Sequence, residues 1–354
     1  MMKVFQLVNN PYKRPNAYVS SLMDGISAEH KDVVWGYGID NLWSDSIYDY
    51  DIIHIHWADE ILISDLCKKE RIGERLSELK SKGIKIVVTC HNIEPHYCND
   101  NDKIETYKSV YSHAECFIHL GDYSKRIMEV KYPQANHIVI YHHTYDKLYC
   151  TKNRMESLRR LGLNPKKKYI LCFGAFRDEE ERELLDIVLK FYKNKGIEIL
   201  SPNYIRYKRS SSLYHTIKIW LKCRMTEIRK PGLHINGWVV SNEELPYYYG
   251  ASDIAFIQRK KILNSGNLPM AFLMGKVVVG PDIGNVGEIL KKTGNPTFDV
   301  TNDESVIDAV GRALDMSKGC KGYLNQIYAN QYFSTSIISN QIYTLYNSLT
   351  KKDE

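Results

Sequence analysis

Apolar runs of four to seven residues alternate with stretches of helical periodicity from the first residues of the chain onward. Short apolar runs bounded by polar turns read as strands covered on both faces, and strands separated by helical segments read as parallel βα units. The first series of runs falls at 3–8, 32–36, 51–56, 84–90, 115–120 and 137–141, with helical patterns between them that include 17–26, 65–82 and 123–131. A charged stretch, 152–168, in which three lysines follow Pro165, reads as a linker. A second series begins at 169–173 and continues through 197–200, 233–235, 254–257 and 277–279. The last helical pattern, 334–349, spaces Ile337, Ile338, Ile342, Leu345 and Tyr346 along one face. The pattern predicts an α/β protein of two Rossmann-like, doubly wound domains, with ligands expected at the carboxyl ends of the strands in a cleft between them.

Length and composition support two cores. At 354 residues and 44% hydrophobic, the chain is too long for one small domain and too apolar for disorder. Its eight cysteines (67, 90, 98, 116, 150, 172, 223 and 320) show no CxxC pair and fall mostly inside apolar runs. That argues against a disulfide framework or a zinc site. No apolar stretch approaches the ~18 residues of a spanning helix, and the opening MMKVFQLVNNPYKRP has no signal-peptide core. A cytoplasmic protein is therefore expected.

Charge changes the picture in one place. The net charge is only +6, but residues 203–230 hold eight Lys or Arg against one Glu. Ile217, Ile219, Trp220, Leu221 and Met225 are interleaved with those charges. Two readings stand side by side: an amphipathic helix touching anionic lipid headgroups, or a helix whose apolar stripe packs on its own domain.

Candidate chemistry gathers after the predicted strands. In 252–290 two short strands each run into a small-residue turn that opens a helix: Asn264-Ser265-Gly266-Asn267 after the first, Gly280-Pro281-Asp282-Ile283-Gly284 after the second. Ser265 is the expected N-cap and Gly266 the point of close backbone approach. Unpaired N–H groups at a helix start favour a phosphate or diphosphate. In the N-terminal half, polar clusters follow the strands at 54–60 (HIHWADE), 89–96 (TCHNIEPH), 119–122 and 142–145 (HHTY). The histidines come from separate strands with no helical spacing, so metal is not expected. Asp49-Tyr50-Asp51 has the D-x-D spacing of a metal site but precedes a strand instead of following one, and reads as a solvated strand entry.

These residues resemble a known family. The order Asp253, Ile262-Leu263-Asn264-Ser265-Gly266, Gly275-Lys276-Val277-Val278, Pro281, Gly284 and Glu288 resembles the donor half of group 1 (family-4-like) glycosyltransferases of the GT-B fold. Residues 89–96 look like the T-x-H-N-x-x-P-H element of that group, His142 with Tyr145 like its I-P-H-G-x-Y element, and Ile170–Arg177 like the FG-x-I-R that opens the second domain. The resemblance implies an acceptor-side domain over 1–160, a nucleotide-sugar domain over 161–330, and a C-terminal helix, 331–354, returning to the first domain. It places His91 beside the donor sugar and acceptor hydroxyl. It puts Arg177 and the backbone of Ser265, Gly266 and Asn267 on the diphosphate, and Glu288 on the nucleotide side. Departures are visible. Asp178-Glu179-Glu180-Glu181 follows the arginine where lysine is usual, which leaves Lys260 or Lys261 as the second cation. Gln258-Arg259-Lys260 replaces Pro-Tyr-Arg, and Ile262 and Met270 stand where an E-x7-E pair is expected.

The resulting expectation is transfer of a sugar from a UDP- or GDP-linked donor to a saccharide, lipid-linked in bacterial surface polysaccharide synthesis, with no metal or other cofactor. If the reaction inverts, Asp59, Glu60, His91 and Glu94 are the candidate bases. If it retains, the leaving phosphate can take the proton. Donor base, acceptor and stereochemistry stay open. Alternatives are a sugar-nucleotide epimerase or hydrolase of the same fold, and a nucleic-acid- or membrane-binding protein acting through 203–230, with Tyr204, Tyr207, Tyr214 and Trp220 as stacking groups. No nucleic-acid fold signature accompanies that charge, and nucleic acid is not the expected partner. A dinucleotide oxidoreductase is excluded because Val8-Asn9-Asn10-Pro11, not G-x-G-x-x-G, follows the first strand.

Overall fold

A computed structural model describes residues 1–95, 100–207 and 212–351. His96, Cys98, Lys208 and Arg209, all noted above, lie outside the described residues. The chain divides into two compact units, 1–145 with 332–354, and 146–331.

The first unit runs β1 (Met2–Gln6), α1 (Tyr18–Glu29), β2 (Val33–Tyr37), β3 (Ile52–Ile55), α2 (Ile72–Ser81), β4 (Lys85–Cys90), α3 (Asn101–His113), β5 (Cys116–His119), α4 (Asp122–Lys131) and β6 (Asn136–Val139). Its sheet has the order β2-β1-β3-β4-β5-β6, with every neighbouring pair parallel. The central strands are buried on both faces, which is why they appear in the sequence as unbroken apolar runs. Asp51 accepts the Lys3 N–H at 2.7 Å, so it fastens the start of β3 to β1. The predicted helix 65–82 begins only at Ile72, after a 3₁₀ turn at Lys69–Arg71. Leu66 stays 54% exposed, so the expected apolar stripe does not extend back that far.

The terminal helix, α13 in chain order (Thr335–Thr350), belongs to this unit. Ser334 caps it by accepting from the Ile337 N–H, and Ile338, Ile342 and Tyr346 enter the core beside Val4, Leu22 and Ile26. Each such side chain contributes about 1.5–3 kcal/mol by leaving water. Gly25 of α1 is the seat: a Cβ there would stand 2.2 Å from Ser339 Oγ.

The second unit runs α5 (Arg154–Arg160), β7 (Lys168–Leu171), α6 (Glu179–Tyr192), β8 (Ile197–Leu200), β9 (Arg206–Tyr207), α7 (Leu213–Arg229), β10 (Leu233–His234), β11 (Gly237–Trp238) and α8 (Leu245–Ala251). It continues through β12 (Ile254–Phe256), α9 (Asn267–Leu273), β13 (Val277–Pro281), α10 (Gly284–Lys292), β14 (Thr297–Phe298), α11 (Asp303–Met316) and α12 (Lys321–Tyr332). The main sheet is parallel with order β10-β8-β7-β12-β13-β14, and β9 and β11 form a separate parallel pair. The stretch read as a linker contains α5, which lies in this unit and packs against α8 across Gly250. The described cysteines form no disulfide. Among the described residues no helix is long and apolar enough to cross a membrane.

Candidate functional site

In the first unit the loops after β1, β3, β4 and β6 leave one edge of the sheet, because all four strands are parallel. They bring together a nest of rings around Tyr18 of α1, which is 1% exposed. His143 stacks on Tyr18 at 4.9 Å, while His91 and His142 meet it at 4.9 and 4.8 Å. Trp57 stacks on His91 at 4.7 Å, and the Arg14 guanidinium lies over the Trp57 ring, 4.8 Å from its centre. Arg14 in turn grips both carboxylate oxygens of Glu60.

Behind these lie the strand histidines. His54 meets Thr89 Oγ1 at 2.7 Å and the Tyr346 hydroxyl at 2.6 Å, and His56 meets Gln6 Oε1 at 2.8 Å. Burial holds these imidazoles neutral: the His54 pKa falls to about 3, that of His142 to about 4, and those of His56 and His91 well below their usual range. His142 donates from Nδ1 to the His143 carbonyl at 2.8 Å, which leaves Nε2 as the accepting nitrogen of the neutral ring. His91 and His142 alone among these five histidines keep part of their surface exposed. Tyr145 closes the group in a left-handed conformation, φ +59°, with its ring 4.6 Å from His143.

The four candidate bases therefore separate. His91 is in the ring nest. Glu60 reaches it through Arg14 and Trp57, with both oxygens occupied. Asp59 points instead toward α3, where it accepts from the Tyr107 hydroxyl at 3.3 Å. Glu94 is exposed on the loop after β4.

In the second unit β7, β12 and β13 are adjacent and parallel, so their following loops also share one edge. The turn at 264–267 is partly exposed. Its cap differs from the expected one: Gly266, not Ser265, is the N-cap residue of α9, and no side chain caps the helix. Gly266 itself is already right-handed (φ −62°, ψ −18°), so helical geometry begins at the cap position itself. With seven residues α9 has only a weak dipole, and any hold on an anion there must come from N–H groups and nearby cations.

The second small-residue turn does not repeat the plan of the first. Gly284 and Asn285 are buried, the Val286 N–H donates to the Leu263 carbonyl at 3.3 Å, and the Asn285 amide donates to Asn264 Oδ1 at 2.7 Å. Gly284 has φ +62°, and a Cβ on it would stand 2.4 Å from the Ile262 carbonyl oxygen. This turn is a buttress that fixes the first. Glu288, one helical turn on in α10, is half-buried.

Arg177 is exposed after β7, and its backbone N–H donates to Glu181 Oε2 at 2.8 Å. The same oxygen receives the Arg259 guanidinium, and the two side chains are only 3% and 11% exposed. Gln258 donates to the Gly174 carbonyl at 2.8 Å, an approach that a Cβ on Gly174 would block. Lys260 turns to the surface of α6, 3.8 Å from Glu183. Glu181 and Arg259 thus tie the β7 and β12 loops together, and neither was singled out by sequence. One signal was present: Glu181 lies on the α6 stripe formed with Leu184, Leu185, Val188, Leu189 and Tyr192, and a carboxylate on an apolar stripe requires a buried partner. Among the described residues no group of three His, Cys, Asp or Glu side chains is placed to hold a metal ion.

Comparison with solved structures places this architecture. The chain is similar to a sucrose-phosphate synthase from Thermosynechococcus elongatus, with TM-score 0.74 and 13% identity over 99% of each chain. It is similar to HepE from Anabaena in complex with UDP, with TM-score 0.71 and 12% identity over 98% of this chain and 100% of that one. A glycosyltransferase from Rickettsia africae gives TM-score 0.67 and 13% identity over 99% of both. No protein-family model and no curated protein sequence matches. At these identities the likeness establishes the fold, which is GT-B over the whole chain.

Proposed function

We propose that the chain is a glycosyltransferase that moves a sugar from a UDP- or GDP-linked donor to a saccharide acceptor. The observation that carries this reading is the end-to-end GT-B fold, shared with proteins such as Anabaena HepE in complex with UDP-glucose. The second unit takes the donor: Arg177 and the N–H groups of Ser265, Gly266 and Asn267 hold the diphosphate, and Glu288 takes the ribose side. Lys260, turned toward Glu183, is the weaker candidate for a second cation. Arg259 has donors left after its pairing with Glu181 and takes that place.

The first unit takes the acceptor. As the anomeric C–O bond breaks, its electron pair leaves with the diphosphate, and the acceptor oxygen forms the new bond while losing its proton. If the reaction inverts, His91 is the best-placed base, because its imidazole is uncharged and sits in the ring nest, whereas Glu60 is spent on Arg14. If it retains, the departing phosphate takes the proton and His91 orients the sugar. In its finer form the proposal is a lipid-linked acceptor in surface polysaccharide synthesis, and peripheral contact with an anionic membrane.

A thermal-shift series with UDP, GDP and ADP tests the donor assignment, since a ligand bound only by the native state raises the melting temperature. Arg177→Ala and Gly266→Val should each abolish the shift given by the preferred nucleotide. Valine fits the dihedral angles of Gly266, so that variant probes access to the backbone and not strain. A nucleotide shift preserved in both variants refutes the donor site.

A further inference from the structure

The basic segment resolves into a helix with an orientation that the sequence left open. α7 is fixed to its unit along one narrow line: Ile219 and Cys223 are buried, and they sit against Gly237, where a Cβ would stand 2.5 Å from Cys223 Sγ. The apolar stripe does not pack on the domain. Leu213, Tyr214, Ile217, Leu221, Met225 and Ile228 are all exposed, with Leu213 at 74% and Ile228 at 77%. At about 100° per residue these six fall within an arc of roughly 120°, opposite the buried pair. Trp220, 55% exposed, lies at one margin of the arc.

The charges frame that arc. Arg224 lies within it, and Lys218, Lys222 and Arg229 line its other margin, all exposed. The helix has one acidic residue, Glu227, and it is turned inward, where it pairs with Arg224 at 2.8 Å and accepts from the Ile235 N–H at 3.0 Å. Lys222 also reaches the Tyr207 hydroxyl at 2.9 Å. An outward apolar band flanked by cations and an interfacial tryptophan matches the water–lipid boundary of an anionic bilayer. A second copy of the helix would bring like charges together, which disfavours self-association as the occupant.

We infer that the outward face of α7 lies in the surface of an anionic membrane, with Leu213, Ile217, Leu221, Met225 and Ile228 at the acyl boundary and Lys218, Lys222 and Arg229 on lipid phosphates. The inference names the element behind the membrane contact proposed above and rests on that finer reading. It does not depend on the donor site.

Co-sedimentation of the full chain with extruded vesicles tests it, comparing phosphatidylglycerol mixed into phosphatidylcholine with phosphatidylcholine alone at about 0.15 M salt. The native chain should bind the anionic vesicles only, with a blue shift in tryptophan emission that Trp220→Phe removes. Leu221→Glu with Met225→Glu should abolish binding, and each of Lys218→Gln and Arg229→Gln should weaken it about fivefold. These positions are exposed, so the nucleotide-induced thermal shift should be unchanged in every variant; loss of that shift in the native chain would count against glycosyl transfer and not against the membrane face. The inference fails if the native chain ignores anionic vesicles, or if the Glu variants bind as well as the native chain. It fails equally if the same variants instead abolish a dimer seen by ultracentrifugation or retention on single-stranded DNA.

Discussion

Each unit is built on a six-stranded parallel sheet, but the two build their loop edges from opposite chemistry. In the first, the residues that gather are rings, and burial has removed charge from His54, His56, His91 and His142. In the second, the loops after β7 and β12 are joined through a guanidinium and a carboxylate, and the turn after β12 offers backbone N–H groups. A neutral, ring-lined edge suits contact with a sugar and acceptance of a proton. An edge of cations and amide hydrogens suits an anion.

The sharpest way to break that division is to damage each edge separately. His91→Ala should lower transfer by about 10²–10⁴-fold while nucleotide affinity holds, whereas Arg177→Ala should weaken nucleotide affinity by about 10–100-fold. Steady-state rates with nucleotide titrations on the same preparations decide it. If both variants lose affinity and neither loses turnover at saturation, the two edges do not divide the work.

The next effect is on stability and belongs to the second unit alone. Glu181→Ala strands Arg259 at 11% exposure and should cost about 3–5 kcal/mol in chemical denaturation. Glu181→Leu combined with Arg259→Met should restore most of that stability, because two apolar side chains replace a buried ion pair. Nucleotide affinity should stay low in the double variant, since the second cation is gone. Recovery of affinity along with stability would show that Arg259 only fastens the loops.

The first unit should answer to pH. A histidine whose folded pKa is depressed leaves the native state short of a proton that the unfolded chain binds below about pH 6.5. Stability is therefore complete above that value and declines as pH falls toward the folded pKa, about 3 for both His54 and His119. Each fully buried imidazole removes up to about 1.4 kcal/mol per pH unit in that window. Chemical denaturation between pH 7 and 5 should show stability falling as the pH falls. Stability that stays level over that range would contradict the reading.

Legibility followed the same physics. Parallel strands covered on both faces leave unbroken apolar runs, so β1, β3, β4, β5, β7, β12 and β13 were readable from patterning. β9, β11 and β14 have two residues each and fall outside the predicted runs, and α5 buries only Ser157 and Leu158, so its charged surroundings read as a linker. The loop runs after strands gave His91, Glu60, Arg177 and the 264–267 turn, because chemistry at a strand end leaves a local mark. The Glu181–Arg259 pair spans 78 residues and leaves none beyond one misplaced carboxylate. Nor does amphipathicity alone tell which side of a helix its domain covers; in α7 Gly237 settles it by admitting only Ile219 and Cys223.

The smallest predicted effect bears on which carboxylate belongs to the first edge. Asp59 and Glu60 are neighbours in a 3₁₀ turn, yet Glu60 faces Arg14 and Asp59 faces Tyr107. Removing the 3.3 Å bond by Tyr107→Phe should cost only about 0.5–1.5 kcal/mol and leave turnover and its pH profile as they were. If Asp59 were the acceptor base, the same change would release the carboxylate that must meet the acceptor hydroxyl, and turnover would fall well beyond what that stability loss accounts for. Such a fall would transfer the role from His91 to Asp59. Unchanged turnover, alongside the loss expected for His91→Ala, assigns Asp59 to holding α3 against the turn.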